Sequence, residues 1–186
     1  MCGLAGFLNI GKINSDLPAV EVLTNMADAI AHRGPDSNGY WNDLAVGIGL
    51  AHCRLAILDV SPAGDQPMTS ISGRYVIAFN GEIYNHLDLR VKLLAQKYLF
   101  EWRGHSDTET LLSCFDVWGV EETLKQTRGM FAFALWDRKL RVLTLGRDRF
   151  GEKPLYFGWQ GQGRHAVFLF GSELSAIRNH PGFSRK

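Results

Sequence analysis

Three segments of this chain are apolar on both alternating faces, which constrains its fold more than any other feature. They are YVIAF at 75–79, MFAFALW at 130–136 and AVFLF at 166–170. A strand with one face in water alternates polar and apolar side chains, so these strands must be covered on both sides. They come in hairpins with few helices between them, which predicts antiparallel sheets and a separate block of helices. We therefore expect an α+β protein in which two sheets pack together and helices lie outside them.

Periodicity and turn residues predict the order of the elements. Residues 2–9 form a first strand, and Ser15 or Asp16 caps a helix that has Pro18 in its first turn and ends at 32–36. Two further helices are expected over 86–97 and from Ser106, where Ser-Asp-Thr-Glu has the form of a capping box. Later strands are predicted at 44–51, 54–58, 75–79, 130–136, 140–145, 155–159 and 166–170.

Length and composition limit the class of protein. The 186 residues, 46% hydrophobic and 21% charged, are typical of one globular domain, and no repeat or linker divides them. The formal net charge of +1 provides no basic surface, so nucleic acid and membranes are not expected partners. The apolar run at 44–53 is too short for a membrane span, and the N-terminus lacks the pattern of a secretory signal. Three cysteines without a disulfide pattern complete the prediction of a cytoplasmic protein.

Cys2 is the most informative single residue. The initiator methionine is normally removed before a small residue, so we expect the mature chain to begin at Cys2. A thiol and a free α-amine then belong to one residue, and the amine is partly neutral at physiological pH and can accept the thiol proton. The alternative is an ordinary buried cysteine near the terminus. The other cysteines, Cys53 and Cys114, are expected in the core.

The pair Asn80-Gly81 follows the apolar run at 75–79. At a strand end, an amide side chain and an unhindered backbone N–H can point at the same place and stabilise the oxyanion of a tetrahedral intermediate. The alternative is a hairpin turn, for which Asn-Gly is the commonest pair. The sequence runs on into a predicted helix, which favours the oxyanion-hole interpretation.

Two charged residues can recognise the two ends of an amino acid. The fork of Arg54 can hold a carboxylate, and Asp107 at a helix start can hold an ammonium. A surface charge and a helix cap are the alternatives. The positions of His52, Cys53, His105 and Cys114 have no metal-ligand spacing, so no metal site is predicted.

Eight motifs together resemble the glutamine amidotransferase domain of asparagine synthetases. Each motif is modest alone, but their number and order are specific, and the match covers nearly the whole chain. They are MCGLAG at 1–6, HRGPD at 32–36, HCRLAILD at 52–59, QPM at 66–68, NGEIYN at 80–85, SDTE at 106–109, GMFAFALWD at 129–137 and RDRFGEKPLY at 147–156.

This resemblance implies an N-terminal nucleophile hydrolase fold, a four-layer αββα sandwich, and one type 2 glutamine amidotransferase domain over 1–186. It implies that Cys2 attacks the side-chain amide of glutamine, releases ammonia and forms a thioester that water hydrolyses. Asn80 and the Gly81 N–H would form the oxyanion hole. Arg54 would bind the α-carboxylate of glutamine, and Asp107, helped by Glu82, its α-ammonium.

The remaining shared motifs are interpreted as scaffold. We expect Arg33 and Asp36 to brace a loop beside the site. Three residues of the last motif, Arg147, Asp148 and Lys153, together with Tyr156, are expected to organise the later strands or to form a face that meets a second domain.

The resemblance also indicates what the domain works with. Asparagine synthetases carry a second domain with a Ser-Gly-Gly-x-Asp-Ser loop that binds ATP pyrophosphate, and these 186 residues contain no such sequence. We expect glutamine as substrate, no cofactor in this domain, and ATP with Mg only in a synthetase domain supplied in cis or in trans; a homodimer is compatible. Three functions stay open: the glutaminase half of an asparagine synthetase, the same half of an amidotransferase with another acceptor, and a non-catalytic module that binds glutamine or a partner.

Overall fold

Two antiparallel sheets form the centre of the computed structural model, which describes residues 1–9, 18–98 and 101–184. In chain order the strands are β1 (Gly3–Asn9), β2 (Ser37–Asp43), β3 (Ile48–Arg54), β4 (Met68–Thr69), β5 (Tyr75–Ile83), β6 (Gly129–Asp137), β7 (Val142–Arg147), β8 (Tyr156–Gln160) and β9 (Val167–Gly171). The first sheet has the strand order β2-β3-β1-β9-β8, and the second has the order β4-β5-β6-β7.

The helices lie on the two outer faces. In chain order they are α1 (Ala19–Asp28), α2 (His86–Ala95), α3 (Asp107–Trp118), α4 (Val120–Gln126) and α5 (Leu174–Arg178). The helices α1 and α5 pack on the first sheet, whereas α2 and α3 pack on the second. Over residues 1–9, 18–98 and 101–184, no helix has the length and apolar character needed to cross a membrane.

Three separate cores hold these four layers together. One core joins α1 and α5 to the outer face of the first sheet, and another joins α2 and α3 to the outer face of the second. The third lies between the sheets and contains Leu4, Leu50, Val76, Trp136 and Phe170. Strands such as β5 supply alternate residues to two cores, which is why their sequences are apolar on both faces. The predicted αββα sandwich of antiparallel sheets is confirmed.

Most of the predicted elements are present with small shifts at their ends. The strands at 2–9, 75–79, 130–136, 140–145, 155–159 and 166–170 and the helix over 86–97 correspond to β1, β5, β6, β7, β8, β9 and α2. Ser106 caps α3, and its Oγ accepts from the Glu109 N–H at 3.2 Å. The proposed caps Ser15 and Asp16 lie outside the described residues, and α1 begins directly after Pro18.

The predicted strands at 44–51 and 54–58 were wrong in part, and one strand was missed. Residues 44–47 form a turn, so β3 begins only at Ile48. Residues 55–58 form no strand, because β3 ends at Arg54 and the chain then turns along the surface, where Ile57 and Leu58 are exposed. The edge strand β2 was missed because its sequence, SNGYWND, consists largely of turn-forming and polar residues. It pairs with β3 over its whole length. Arg54 is consequently the last residue of a buried strand, at the point where an irregular loop begins.

Candidate active site

Cys2 lies directly before β1, the middle strand of the first sheet, and is held by two neighbouring segments. The Leu55 N–H donates to Cys2 Sγ at 3.3 Å, and the thiol donates to the Leu55 carbonyl at 3.4 Å. Arg33 Nε donates to the Cys2 carbonyl at 3.1 Å, and Arg33 Nη1 pairs with Glu173 Oε1 at 3.0 Å. Both the main chain and the thiol of Cys2 are therefore fixed, and Leu55 is free to bind the thiol because it is not in a strand.

All six site residues predicted from the sequence line one cavity of about 150 Å³. Met1 precedes Cys2 in this chain and lines the same cavity, so its removal enlarges the space beside the thiol. The structure thus brings together residues from the segment before β1, from β3, β5 and α3, which lie far apart in the sequence. The six residues are Cys2, Arg54, Asn80, Gly81, Glu82 and Asp107.

Asn80 directs an amide into the space between the sheets. It shares a face of β5 with Val76 and Ala78, which belong to the inter-sheet core, and it is only 2% exposed. Its Nδ2 atom is buried and has no hydrogen-bond partner among the described residues. Because a buried donor without a partner loses about 1–3 kcal/mol of solvation, such donors are rare. The Asn80 amide is therefore available to a ligand in the cavity.

The Gly81 N–H points to the open edge of β5. The Tyr84 N–H donates to the Arg128 carbonyl across the β5–β6 ladder. In an antiparallel pair, successive N–H groups of a strand point alternately towards and away from the neighbouring strand. Because the even-numbered Tyr84 donates towards β6, the odd-numbered residues of β5 direct their N–H groups away from β6. A Cβ at Gly81 would collide with the Met130 carbonyl oxygen, so this close approach of the strands requires glycine.

On either side of Gly81, side chains satisfy the N–H groups of that edge. The Phe79 N–H donates to Gln66 Oε1 at 2.6 Å, and the Ile83 N–H donates to Asp107 Oδ2 at 2.7 Å. The strand β4 ends too early to cover this part of β5, because its two residues pair only with Val76 and Ile77. Gly81 therefore offers its N–H between two donors that are already paired. Asn80 and Gly81 lie within β5, not at its end.

His52 fixes the peptide next to Asn80 from the first sheet. Its Nε2 donates to the Phe79 carbonyl at 2.9 Å. Burial lowers the pKa of His52 to about 4, so the ring is neutral at physiological pH with its proton on Nε2. The hydrogen bond joins β3 to β5 and sets the position of the two sheets beneath the cavity.

Arg54 reaches the cavity with several of its donors already in use. Its Nη1 donates to the Ser61 carbonyl at 3.0 Å and to Asp65 Oδ1 at 2.6 Å. Its Nη2 donates to the Asp59 carbonyl. A substrate carboxylate that binds Arg54 must therefore share it with, or replace, the half-exposed Asp65.

Asp107 is the first residue of α3 and is buried. Burial raises the pKa of its carboxyl, and the hydrogen bond from the Ile83 N–H partly offsets that effect. The second carboxylate oxygen accepts from the Thr108 N–H at 2.9 Å. Glu82 is half-buried on the same cavity wall. Both carboxyl groups lie where a positively charged ligand group can approach them.

The loop between Arg54 and β4 is tied to the start of α3. Asp59 accepts from the Ser61 hydroxyl at 2.6 Å and from the His105 N–H at 2.7 Å. These donors lower the pKa of Asp59 to about 2, so the carboxylate stays charged. As expected, Asp36 also braces this loop, because it accepts from the Ala56 N–H at 2.8 Å.

Among the other residues that line the cavity, Leu55 and Lys153 approach Cys2 or Met1 directly, and neither was assigned to the site from the sequence. Leu55 contacts the Cys2 thiol through its backbone N–H and carbonyl, and the only indication of this in the sequence is that it follows Arg54. Lys153 was assigned to scaffold together with Arg147 and Asp148. Its backbone is held in the turn after β7 by Arg147 and Asp148, but its side chain lines the cavity. The RDRFGEKPLY motif marks Lys153 in the sequence, but only the fold shows that this motif lies beside the other motifs of the site.

The two other cysteines lie in the outer cores, as predicted. Burial raises the pKa of Cys53 to about 11 and that of Cys114 to about 12, which keeps both thiols protonated. No group of three or more His, Cys, Asp or Glu side chains that suits a metal ion occurs in the described part of the chain. Cys2 is the one thiol that lines the cavity.

Comparison with known proteins agrees with this site. The sequence model of the family described as "Glutamine amidotransferase domain" matches residues 1–186. Asparagine synthetase [glutamine-hydrolyzing] 3 of Bacillus subtilis is 39% identical over 97% of this chain, which spans 28% of that protein. Amidase chry2 of Gibberella zeae is 36% identical over 84% of this chain, which spans 24% of it. The chain thus spans about a quarter of the length of these two relatives.

A solved structure supports the fold. The glutamine phosphoribosylpyrophosphate amidotransferase of Bacillus subtilis, in complex with ADP and GMP, superimposes with a TM-score of 0.71 over 95% of this chain and 43% of its own. Its sequence is 19% identical, so this likeness concerns the fold alone. The family match over all 186 residues and the 39% identity to an asparagine synthetase show that this chain belongs to the glutamine amidotransferase domain family, in the class II, N-terminal nucleophile group that includes the glutaminase halves of asparagine synthetases.

Proposed function

We propose that this domain hydrolyses glutamine to glutamate and ammonia with Cys2 as nucleophile. The observation that carries the proposal is the arrangement at the cavity, where the Cys2 thiol shares the space with the unpaired Asn80 amide nitrogen and the edge N–H of Gly81. A nucleophile next to two convergent donors suits acyl transfer through a tetrahedral intermediate.

The chemistry begins when Met1 is removed and the α-amine of Cys2 becomes free. The amine accepts the thiol proton, and the thiolate forms a bond to the side-chain carbonyl carbon of glutamine. Asn80 Nδ2 and the Gly81 N–H donate to the resulting oxyanion. The carbon–nitrogen bond then breaks, and the amine returns the proton to the leaving ammonia. Water hydrolyses the thioester by the same route, which releases glutamate and restores the thiol.

Substrate recognition is assigned to the two charged ends of the cavity. Arg54 binds the α-carboxylate of glutamine, while Asp107 and Glu82 bind its α-ammonium. Because all three groups are at least half-buried, a ligand that lacks one charged end leaves a desolvated charge unpaired. We expect selection for free glutamine over peptide-bound glutamine, which lacks a free α-ammonium, a free α-carboxylate or both.

The use of the ammonia is a separate proposal. We infer that it amidates aspartate in an ATP- and Mg-dependent synthetase domain outside these 186 residues, because the similarity to asparagine synthetases covers 97% of this chain. A different acceptor is the second candidate, favoured by the similarity to Amidase chry2. Transfer of isotopically labelled amide nitrogen from glutamine to asparagine by the complete gene product would distinguish the two.

The test of the nucleophile compares the processed chain with Cys2→Ala. We expect the processed chain to release ammonia from glutamine and the variant to retain the fold with no release. Cys114→Ala is the matched control and should keep its activity, since this thiol is in a core. A chain that retains Met1 or an N-terminal tag should also be inactive, because its Cys2 nitrogen is an amide. Ammonia release by Cys2→Ala at the level of the processed chain would overturn the mechanism.

A further inference from the structure

Lys153 is a buried cation without a carboxylate partner in the part of the chain that the structure describes. The residue is 6% exposed and lines the same cavity as Cys2. Its Nζ donates to the thioether sulfur of Met1 at 3.2 Å, and a thioether is a weak acceptor. Burial of an ammonium is unfavourable unless it is paired. The position of Lys153 therefore requires an explanation beyond stability.

The turn that carries Lys153 is tightly held. Asp148 accepts from four backbone N–H groups, those of Phe131, Phe150, Glu152 and Lys153, at 3.0–3.2 Å. Arg147 donates to the carbonyls of Gly151 and Lys153, each at 2.6 Å. Burial opposes the charge on Asp148, but these donors outweigh it and lower the pKa of its carboxyl. These hydrogen bonds fix the backbone of the turn, and the side chain of Lys153 extends from it into the cavity.

Processing of the N-terminus changes what Lys153 faces. Few covalent bonds separate the Met1 sulfur from the Cys2 nitrogen, so Nζ lies within roughly 10 Å of that nitrogen. Removal of Met1 takes away the sulfur that accepts from Lys153 and creates the α-amine of Cys2 in the same cavity. The ammonium of Lys153 then has the catalytic end of Cys2 as its neighbour.

We propose that Lys153 is a positioning residue that acts electrostatically through Cys2. Its positive charge disfavours the protonated form of the mature α-amine and favours the thiolate, so that Cys2 is an active nucleophile at a lower pH than it would be without Lys153. The inference rests on the proposed function of Cys2. It adds a fixed charge that sets the pH at which this function begins.

The other charges around Cys2 are largely compensated. Arg33 is paired with Glu173, and Arg54 with Asp65. The carboxylates at the cavity oppose the effect of Lys153, but Asp59 and Asp107 already accept backbone N–H groups. Charged or titratable groups therefore face the cavity from each surrounding segment: Arg54 from β3, Asp59 from the following loop, Glu82 from β5, Asp107 from α3 and Lys153 from the turn before β8.

The experiment compares processed wild type with Lys153→Met, Lys153→Arg and the control Lys139→Met. Methionine keeps the length and apolar stem of lysine without its charge, arginine keeps the charge, and Lys139 is exposed in the β6–β7 turn. Two pH profiles are measured for each protein, kcat/KM for glutamine and the rate at which iodoacetamide alkylates Cys2. Alkylation is counted on the N-terminal peptide by mass spectrometry, which excludes the two buried cysteines.

We expect Lys153→Met to move the acid-side midpoint of both profiles up by about 0.5–1 pH unit, the size of a single-charge effect at this range in a partly hydrated site. Below the wild-type midpoint this gives a loss of about 3–10 fold in rate. Lys153→Arg and Lys139→Met should keep the wild-type midpoint. An equal loss at every pH with unchanged midpoints would show a merely structural role and overturn the inference.

Two further outcomes keep the proposals apart. If Lys153→Met does not fold, Lys153→Gln makes the same comparison with a polar neutral side chain. If the processed wild type releases no ammonia, the proposed function fails, and the alkylation profile still decides whether Lys153 controls the ionisation of Cys2. If an active Lys153→Gln variant keeps the wild-type midpoints, the inference about Lys153 is rejected and the proposed function of Cys2 stands.

Discussion

The two walls of the cavity differ in how their polar atoms are satisfied. One wall, here the strand wall, consists of Cys2, which lies directly before β1, and of Asn80 and Gly81 on β5; among the described residues the Asn80 nitrogen has no partner. The other, the clamp wall, consists of Arg54 and Asp107, and each of these already has internal partners. The strand wall is preorganised for a new acceptor, whereas the clamp wall must exchange or share its contacts when a ligand binds.

This difference predicts a division of labour between the walls. Donors held rigidly and without partners gain most when negative charge develops on a bound oxygen, so the strand wall should act on kcat. Charges that already have partners gain only the difference between the old and new contacts, so the clamp wall should act on KM. A strand-wall variant that changes KM alone, or a clamp-wall variant that changes kcat alone, would contradict this division.

Asn80→Ala should have the largest effect. We expect kcat for glutamine to fall by about 100–1000 fold with little change in KM, because one oxyanion donor is lost. Thermal stability should not fall, since the deleted nitrogen has no hydrogen-bond partner among the residues that the structure describes. Steady-state kinetics and a thermal melt measure the two effects.

Asn85→Ala is the matched control for that variant. Asn85 donates to the Gln126 carbonyl at 2.9 Å and accepts from the Arg128 N–H at 2.9 Å. It should lose stability and keep kcat, the reverse of Asn80→Ala. Parallel losses of stability and activity in Asn80→Ala would contradict the assignment of Asn80 to an oxyanion hole.

Asp107→Asn should act mainly on KM. The amide keeps one oxygen acceptor for the backbone but loses the charge that binds the ammonium, which predicts an increase in KM of about 10–100 fold. Burial raises the pKa of Asp107, so in the wild type this carboxylate takes up a proton at a higher pH than an ordinary aspartate. The wild-type KM should accordingly rise as the pH falls, and this rise should be absent from the variant.

A second aspartate on the same helix provides the control. Asp116 lies on α3 and accepts from the hydroxyl of Ser72 at 2.5 Å. Asp116→Asn should leave KM and its pH dependence unchanged. A large fall in kcat for Asp107→Asn, with KM unaltered, would remove the division between the walls.

The sequence predicts the layers of this fold better than it predicts the walls of the site. In β5, β6 and β9 consecutive residues are apolar, so each short segment by itself predicts a strand that is covered on both faces and hence two packed sheets. The segment 55–58 is apolar as well, yet Ile57 and Leu58 are exposed and the segment lines the cavity instead of forming a strand. Hydrophobicity alone does not distinguish a buried strand from an apolar loop at a site.

Within the site, the sequence predicted which residues have suitable chemistry, but it did not predict the contacts that surround them. The nucleophile and the donors could be proposed because a thiol, an amide and a glycine have distinctive chemistry. Whether Arg54 is free or paired depends on the path of the loop that follows it, and whether Lys153 reaches Met1 depends on a contact between residues 152 positions apart. Contacts over such separations are set by the packing of the two sheets, which no local pattern encodes.

Asp65→Asn should have the smallest effect and tests the clamp wall most finely. Asp65 is 57% exposed, so its ion pair with Arg54 contributes little to stability, about 0–1 kcal/mol. Arg54 remains held by the carbonyls of Asp59 and Ser61, and its Nη1 loses a competing carboxylate. We therefore expect KM for glutamine to fall by about 2–3 fold with kcat unchanged, a change of less than 1 kcal/mol. A rise in KM towards that of Arg54→Ala would show instead that Asp65 orients the guanidinium, and that the partners of the clamp wall assist binding rather than compete with it.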